Sequence, residues 1–262
     1  MSRFHTLLLV SLAAAAACAA LTDGVTRLAG LVALAGLFLL VTGLGVAFPG
    51  LSLFGPFVCR GPAGLPRVAL TFDDGPDPLS TPALLDLLRD AKVPAAFFCV
   101  GEKVDAHPEI AARAAREGHL LANHTWRHSF LTSFFTTSRL LGELERTQEA
   151  VERAAGARPA YFRPPVGLSN PPVFRAVRRL GLRAIGWTVR GLDKGSSPPD
   201  RVVARLARGL KPGAILLLHD GGVPPERLLA IVHPLLDMLK AGGYEVVRLD
   251  RLLGDDTPGQ AS

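Results

Sequence analysis

The sequence predicts an α/β fold with a mostly parallel sheet, preceded by one or two hydrophobic helices. Two apolar stretches without charges, 6–20 and 28–48, open the chain. After residue 66, seven short apolar runs alternate with helical patterns, as in a parallel sheet covered by helices. Polar residues gather where these runs end. An open doubly wound sheet and a closed or distorted barrel both fit the pattern, and both place functional groups at the carboxyl ends of the strands.

The apolar stretches indicate a hydrophobic membrane-anchor region at 1–50. The stretch 28–48 is long enough to cross a bilayer core of roughly 30 Å as a helix. The stretch 6–20 is shorter and alanine-rich, and its alternatives are a marginal span, half of a hairpin, or the h-region of a signal peptide. A buried core helix is the further alternative for each. The flanking positive charges weakly favour a cytoplasmic location for both flanks.

The composition limits the possible partners. The net charge is +6 at pH 7, carried by 24 arginines and only five lysines. An anionic membrane surface or polymer would suit this charge, but codon bias with arginines on solvated helix faces is the favoured explanation. The chain has no nucleic-acid motif, basic run or internal repeat, so we expect no nucleic-acid partner, and nothing indicates an obligate protein partner. Its three cysteines form no CxxC pair or disulfide framework.

A Gly- and Pro-rich linker at 51–66 separates the apolar region from a domain at 67–253, and a polar tail follows at 254–262. The helices between the runs have readable ends. For example, one helix ends at Gly156 and the next begins at Asn170. The strand-like runs lie near 67–72, 95–100, 119–123, 160–163, 182–189, 214–219 and 244–248.

The helix that follows the first run is expected to begin at a hydroxyl cap. Ser80 or Thr81 would accept hydrogen bonds from the first free N–H groups, and Pro82 suits the first turn.

The first strand ends in two adjacent carboxylates, Asp73 and Asp74. Such close like charges repel unless a positive group lies between them. His124 and His128 follow the third strand with i, i+4 spacing, which places both rings on one face if the segment is helical. Two histidines and one aspartate are typical of catalytic zinc and of non-haem iron. Thr125 stands where a zincin has its glutamate base, so a base must come from elsewhere.

Two further strand ends carry groups that suit hydrolysis. Arg163 would hold a neighbouring carboxylate charged and oriented, and its alternative is a surface arginine before a polyproline turn. His219 is a candidate general acid, and its alternative is a strand-end histidine bonded to backbone. The remaining histidines have no comparable partners and are expected to be structural.

Four segments, "TFDDGP" at 71–76, "HTWRH" at 124–128, "RPPVG" at 163–167 and "LLLHDG" at 216–221, resemble the polysaccharide deacetylases, the NodB-homology domain of carbohydrate esterase family 4. The resemblance extends from about Pro66 to Leu253 and is highly specific. It implies a distorted (β/α) barrel of about seven parallel strands. It also implies metal-dependent hydrolysis of N-acetyl groups on amino sugars.

The resemblance also implies roles for individual residues. Asp73 would be the general base, tethered by Arg163, and His219 the acid. One divalent ion, expected to be Zn²⁺ with Co²⁺, Ni²⁺, Mn²⁺ or Fe²⁺ as alternatives, would be bound by Asp74, His124 and His128. The turn containing Pro165 and Val166 would offer the Val166 backbone N–H to the oxyanion, and Leu217 and Trp187 would line the substrate pocket.

Two positions depart from the family pattern. Position 166 is usually aromatic and is valine here, so the wall of the groove could differ. The fourth motif usually has an aspartate near a tryptophan, whereas Asp193 follows Trp187 by six residues. Asp193 would either orient His219 or cap a loop.

These observations predict a membrane-anchored hydrolase that removes N-acetyl groups from a cell-envelope polysaccharide or glycoconjugate. The alternatives are a deacylase or deformylase of a lipid-linked amino sugar and an inactive carbohydrate-binding module. An iron-dependent oxygenase would leave the second aspartate, Arg163 and His219 unexplained. The habits of the family place the domain outside the cytoplasm, in conflict with the flanking charges.

Overall fold

The computed structural model describes residues 2–255. Most of the expected polar tail at 254–262 therefore lies outside the described residues. The chain begins with two long helices, α1 (Arg3–Leu21) and α2 (Gly24–Ala47). Both are long and apolar enough to cross a membrane by length and composition. Their apolar side chains are largely exposed, which is unfavourable in water unless a lipid or protein phase covers them.

The two helices form an antiparallel hairpin whose open end meets the rest of the protein. The Phe4 ring lies 6.2 Å from the Phe38 ring at that end, and Phe4 N–H donates to the Leu53 carbonyl at 2.9 Å. A side chain at Gly45 would collide with Leu53. The absence of a Cβ thus lets α2 approach the segment that follows it. The hairpin is in this way packed against the start of the domain.

A nine-stranded sheet forms the centre of the domain, and all of its strand pairs are parallel. The strand order is β1-β6-β5-β4-β3-β2-β8-β7, and β9 pairs with β2. Buried apolar residues on β2, β3 and β8 make these central strands continuous hydrophobic runs, as expected for strands covered on both faces. The strands are β1 (Phe57–Val58), β2 (Arg67–Asp73), β3 (Ala96–Cys99), β4 (Leu120–Asn123), β5 (Tyr161–Phe162), β6 (Arg183–Ile185), β7 (Val189–Arg190), β8 (Ile215–His219) and β9 (Glu245–Val246).

The sheet curls into a distorted barrel. Strands β6 and β7 are separated by only 186–188, yet they pair towards opposite ends of the strand order. The two ends are therefore close in space. Gly61 N–H donates to the Gly213 carbonyl at 2.8 Å, which links the residues after β1 to those before β8. The barrel predicted from the family resemblance is confirmed.

Helices cover the outside of the sheet. Asn170 caps its helix as predicted, because its Oδ1 accepts from the Val173 N–H at 3.0 Å. Gly156 ends the preceding helix at a positive φ of 75°, a conformation that suits glycine. The helices are α3 (Ser80–Ala91), α4 (Gly101–Ala106), α5 (Pro108–Arg116), α6 (Thr137–Ala155), α7 (Pro171–Arg179), α8 (Pro199–Gly209), α9 (Pro225–Ala241) and α10 (Leu249–Leu253).

Two features of the sheet differ from the sequence prediction. The apolar run at 182–189 forms two short strands rather than one, because the chain leaves one end of the sheet at Gly186 and rejoins it at Val189. Strand β1 lies within 51–66, the segment expected to be a linker, and pairs with β6. Because β1 is only two residues long, no apolar periodicity could reveal it in the sequence. The division into domains stays a prediction.

Candidate active site

The parallel register brings the motifs to one rim of the barrel. Asp73 at the end of β2 pairs with His219 at the end of β8, and Asn123 at the end of β4 pairs with Phe162. His124 and Arg163 directly follow this second pair. Parallel strands end at the same edge, so residues far apart in sequence become neighbours. The gathering of polar groups at strand ends, predicted from the sequence, is present in the fold.

Arg163 and Asp73 form a buried ion pair. The Arg163 Nη1 donates to Asp73 Oδ1 at 2.6 Å and to Thr71 Oγ1 at 2.9 Å. Its Nη2 donates to the Gly186 carbonyl at 2.9 Å, and its guanidinium stacks on the Phe98 ring at 4.0 Å. Arg163 is fully buried, so the surface alternative is wrong. A guanidinium with this many partners fixes the position of the Asp73 carboxylate.

A second cluster lies beside this pair. Asp74 Oδ1 is 3.2 Å from His124 Nε2 and 3.0 Å from His128 Nε2. His124 Nδ1 lies 2.7 Å from the Arg163 carbonyl and can only donate to it, which turns Nε2 towards Asp74. The ligand atoms of the three residues lie within 4.8 Å of one another. Burial acts to raise the pKa of the Asp74 carboxyl, but the two imidazoles outweigh it and hold the pKa well below its usual range.

The cluster fits a divalent cation. Asp74 Oδ1 is buried and has no hydrogen-bond partner among the described residues, although two imidazole nitrogens face it. Such an unsatisfied oxygen is costly unless something positive lies against it. Two histidine nitrogens and a carboxylate are a donor set suited to Zn²⁺ and related ions. This fit supports the cation inferred from the adjacent aspartates.

The backbone is strained at the residues of this cluster. Asp74 has φ 75°, Thr125 has φ 69° and His128 has φ 49°, a region that L-residues rarely adopt and that concentrates at functional sites. The segment from His124 to His128 is a loop, so the condition of a shared helix face is not met. The Thr125 Oγ1 accepts from the His128 N–H at 3.1 Å and holds the loop instead.

His219 is oriented by Asp193. Its Nδ1 lies 2.9 Å from Asp193 Oδ1, and its backbone N–H donates to Asp193 Oδ2 at 2.8 Å. Burial acts to lower the pKa of His219, but the Asp193 hydrogen bond and the nearby charges of Asp73 and Asp74 raise it overall. Arg227 fixes the loop by donating to the Asp193 carbonyl at 2.8 Å. Of the two alternatives for Asp193, the structure shows the contact with His219.

These groups surround one pocket of about 260 Å³, called here the rim pocket. Leu217, Trp187 and Val166 are among the residues that line it. Pro165 is buried in the turn below and is not among the lining residues. The residues that line the rim pocket are Asp73, Asp74, His124, His128, Phe130, Val166, Gly167, Trp187, Arg190, Leu192, Lys194, Leu217 and His219.

The turn at 165–167 presents an exposed, left-handed valine to the rim pocket. Val166 has φ 59°, which is unfavourable for a β-branched residue. No group of the described residues accepts a hydrogen bond from its backbone N–H, whereas the Gly167 N–H donates to the Pro164 carbonyl. A Cβ on Gly167 would lie 2.3 Å from Trp187. Glycine at this position therefore allows the indole to pack directly on the turn.

Sequence reasoning missed three residues at the site. Lys194 forms an ion pair with Asp74 Oδ2, and Lys103 donates to the Asp74 carbonyl at 2.7 Å. Asp220 is buried behind the loop, and burial raises its pKa to about 7 although Thr81 Oγ1 donates to it at 2.6 Å. The lysines are far away in sequence and follow no motif, so no local signal could have found them. The aspartate in "LLLHDG" was visible but had no predicted partner.

The expected hydroxyl cap of α3 is wrong because those hydroxyls have other partners. Asp77 Oδ1 accepts from the backbone N–H groups of Leu79 and Ser80 at 3.0 and 3.2 Å. The side chains of Ser80 and Thr81 instead bond to Asp220. The loop after β2 is thereby attached to the end of β8.

The fold and site define an α/β barrel protein with a tethered carboxylate beside a two-histidine, one-carboxylate cluster. The sequence profile described as "Polysaccharide deacetylase" matches residues 60–185. A Bacillus cereus peptidoglycan-N-acetylglucosamine deacetylase is 34% identical over 71% of this chain and 87% of its own length. The chain belongs to the polysaccharide deacetylase family.

Two further similar proteins extend the comparison. A chitooligosaccharide deacetylase from a Bradyrhizobium species is 39% identical over 63% of this chain and 75% of its own length. A solved family 4 acetyl xylan esterase from Clostridium thermocellum, in complex with a cobalt ion, superposes with a TM-score of 0.66 at 33% identity. That superposition covers 71% of this chain and 90% of the esterase.

Proposed function

We propose that this protein is a membrane-anchored, metal-dependent hydrolase that removes N-acetyl groups from amino sugars of a cell-envelope polysaccharide or glycoconjugate. The observation that carries the proposal is the buried Arg163–Asp73 pair next to the cluster of Asp74, His124 and His128 in one pocket. The named activities of the deacetylase relatives support the choice of an N-acetylated amino sugar.

The cluster would hold one divalent ion, with Zn²⁺ as the first choice. When bound, such an ion polarises the substrate carbonyl and lowers the pKa of water. The cobalt ion in the acetyl xylan esterase supports a divalent ion in this family. His124 is kept in one tautomer by the Arg163 carbonyl, so its Nε2 is available as a ligand without reorganisation.

Asp73 would act as the general base. It lies next to the cluster, with Oδ2 3.8 Å from His124 Nε2, while Oδ1 is held by Arg163. One oxygen is thus fixed and the other faces the pocket. Asp73 would take the proton from the attacking water as the water oxygen bonds to the amide carbon, and the carbonyl oxygen would take up negative charge.

Val166 and His219 would complete the reaction. The Val166 backbone N–H would donate to the oxyanion. His219, across the pocket from the turn, would donate its Nε2 proton to the amide nitrogen as the C–N bond breaks, which releases acetate and a free amine. Asp193 would keep this imidazole oriented and charged. Leu217 and Trp187 would form the apolar wall against the acetyl methyl group.

Acetate release tests the proposal. The full-length chain in detergent would be incubated with N-acetylglucosamine oligomers after chelation, with and without added Zn²⁺. We expect Zn²⁺-dependent acetate release that Asp73→Asn abolishes. Asp90→Asn is the matched control, because Asp90 is exposed on α3 and distant from the cluster. A folded chain that binds Zn²⁺ but releases no acetate from any N-acetylated amino sugar would refute the proposed activity.

The proposal places the catalytic domain on the outer side of the membrane, where envelope polymers lie. Labelling of an introduced surface cysteine by a membrane-impermeant maleimide in intact cells would test this. Labelling only after lysis would place the domain in the cytoplasm.

A further inference from the structure

A second cavity adjoins the rim pocket and leads to the membrane hairpin. It has a volume of about 470 Å³ and shares Val166, Trp187 and Arg190 with the rim pocket. At its other end lie Ala47, the last residue of α2, and Phe48. We call this cavity the anchor groove, and it is lined by Ala47, Phe48, Gly50, Leu51, Cys59, Val166, Trp187 and Arg190.

The far end of the anchor groove lies where the membrane helix ends. Phe48 is 58% exposed and Leu51 is 49% exposed, so two large apolar side chains are available at this point. If α2 spans the bilayer, these residues lie at the boundary between hydrocarbon and water. The groove therefore connects the membrane surface with the cluster of Asp74 and the two histidines.

The anchor groove is lined mainly by apolar residues and carries one positively charged side chain. Among the described residues that line the anchor groove, Arg190 is the only charged one. Its guanidinium lies 6.0 Å from the centre of the Trp187 ring, and no carboxylate of the described residues forms an ion pair with it. Apart from Arg190, the side chains of this lining offer only the Trp187 indole N–H and the Cys59 thiol as hydrogen-bonding groups, which are few for the many hydroxyl groups of a polysaccharide chain. An arginine beside an apolar path instead suits a phosphate that carries a hydrocarbon chain.

We infer that the anchor groove binds the lipid portion of a lipid-linked amino sugar whose N-acetyl group lies in the rim pocket. The phosphate or diphosphate contacts Arg190, and the first hydrocarbon units lie on Phe48 and Leu51 as they enter the membrane. This inference rests on the proposed function and names the glycoconjugate that the site takes. The membrane hairpin then presents the site to a substrate that is itself confined to the membrane.

The test compares two substrates on the full-length chain in phosphatidylcholine vesicles with Zn²⁺. One is a polyprenyl diphosphate N-acetylglucosamine, and the other is a water-soluble N-acetylglucosamine tetramer. We expect a higher kcat/KM for the lipid-linked substrate. Arg190→Gln and Leu51→Glu should each lower the ratio of the two kcat/KM values about tenfold. The first removes the contact with the lipid phosphate, and the second places a carboxylate where the hydrocarbon units would lie.

Matched controls exist for both variants. Arg201→Gln removes an exposed arginine on α8, and Leu65→Glu adds a carboxylate at a leucine that is 53% exposed, away from both cavities. Both controls should leave the ratio unchanged. An unchanged ratio in Arg190→Gln and Leu51→Glu, or turnover of the tetramer alone, would overturn the inference while the proposed function stands. A folded, Zn²⁺-loaded chain inactive on both substrates would overturn both.

A binding measurement gives a readout that does not depend on catalysis. The lipid-linked sugar would carry a diazirine on its first isoprenoid unit and be irradiated with the chelator-treated chain. We expect mass spectrometry to locate the cross-link between residues 47 and 59. Cross-links confined to the bilayer-facing sides of α1 and α2, or equal labelling of 47–59 by a diazirine phospholipid, would show that the groove does not select the lipid-linked sugar.

Discussion

The guanidinium of Arg163 lies 2.6 Å from the carboxylate of Asp73, and both side chains are buried beneath the rim pocket. This pair joins the end of β5 to the end of β2 across the intervening strands. It sets the position of the proposed base and compensates the charge of a largely buried carboxylate.

Replacement of Arg163 by glutamine should reduce both stability and activity. The change leaves the Asp73 charge buried without its partner, and such losses cost about 3–5 kcal/mol. We expect a lower free energy of unfolding in urea and a large fall in kcat on an N-acetylated substrate. Arg153→Gln is the control, because its ion pair with Asp105 is exposed and should be worth under about 1 kcal/mol. If Arg163→Gln and Arg153→Gln lowered the free energy of unfolding and kcat equally, the buried Arg163–Asp73 pair would not have the importance given to it here.

Zn²⁺ should raise the thermal stability of the protein through the three-residue cluster. An ion that binds only the folded state stabilises it by mass action, so the midpoint of thermal unfolding should rise by a few degrees or more at saturating Zn²⁺. His128→Gln should remove most of this increase. His233→Gln, an exposed histidine on α9, should retain it. A full increase in the His128 variant would mean that Zn²⁺ binds elsewhere.

Asp193→Asn should shift the pH profile of catalysis. His219 is proposed to act in its protonated form, and its pKa is raised: burial acts to lower the pKa, but the Asp193 hydrogen bond and the nearby charges of Asp73, Asp193 and Asp74 together raise it. Without the Asp193 carboxylate the pKa falls, so the loss of kcat/KM at alkaline pH should begin at a lower pH. Asp193→Glu should restore part of the wild-type profile. A variant with lower activity but an unchanged alkaline limb would show that Asp193 acts only through the structure.

Asp220→Asn should change how stability depends on pH. The pKa of Asp220 is raised to about 7 by burial, compared with an unfolded value of about 3.9. The unfolded chain therefore loses this proton first, and the wild type loses stability from this group as pH rises from about 4 to 7. The variant lacks that loss, so its stability relative to the wild type should increase over the same range. The control Asp90→Asn should follow the wild type in how its free energy of unfolding changes with pH. If the free energy of unfolding of Asp220→Asn also ran parallel to that of the wild type from about pH 4 to 7, the carboxyl of Asp220 would not be buried and protonated.

Several parts of the fold and site were readable from the sequence because they depend on local pattern. Alternating apolar runs predicted six of the nine strands, and a seventh run matched two more. The adjacent aspartates at the end of β2 and the histidine pair after β4 indicated a cation. Arg163 and His219 were assigned from their strand ends and from the family resemblance.

Other parts were not readable because they depend on distant contacts. Lys194 reaches Asp74 only after the loop that follows β7 folds over the rim. The hydroxyl groups of Ser80 and Thr81 bond to Asp220, which lies about 140 residues later. The alternatives for Asp193 were also equal at the level of sequence, since its distance from Trp187 says nothing about His219.

The sequence by itself determined the type of fold and the chemical groups of the site, because apolar periodicity and motif spacing are local properties of the chain. Only the tertiary structure decided which groups meet. Curling of the sheet brings the turn at Val166 and the loop at Asp193 to the same pocket as Asp73. The packing of α1 and α2 against the start of the domain places an apolar groove between the hairpin and that pocket. No local pattern carries this information, because it arises from contacts between elements that are not neighbours in the sequence.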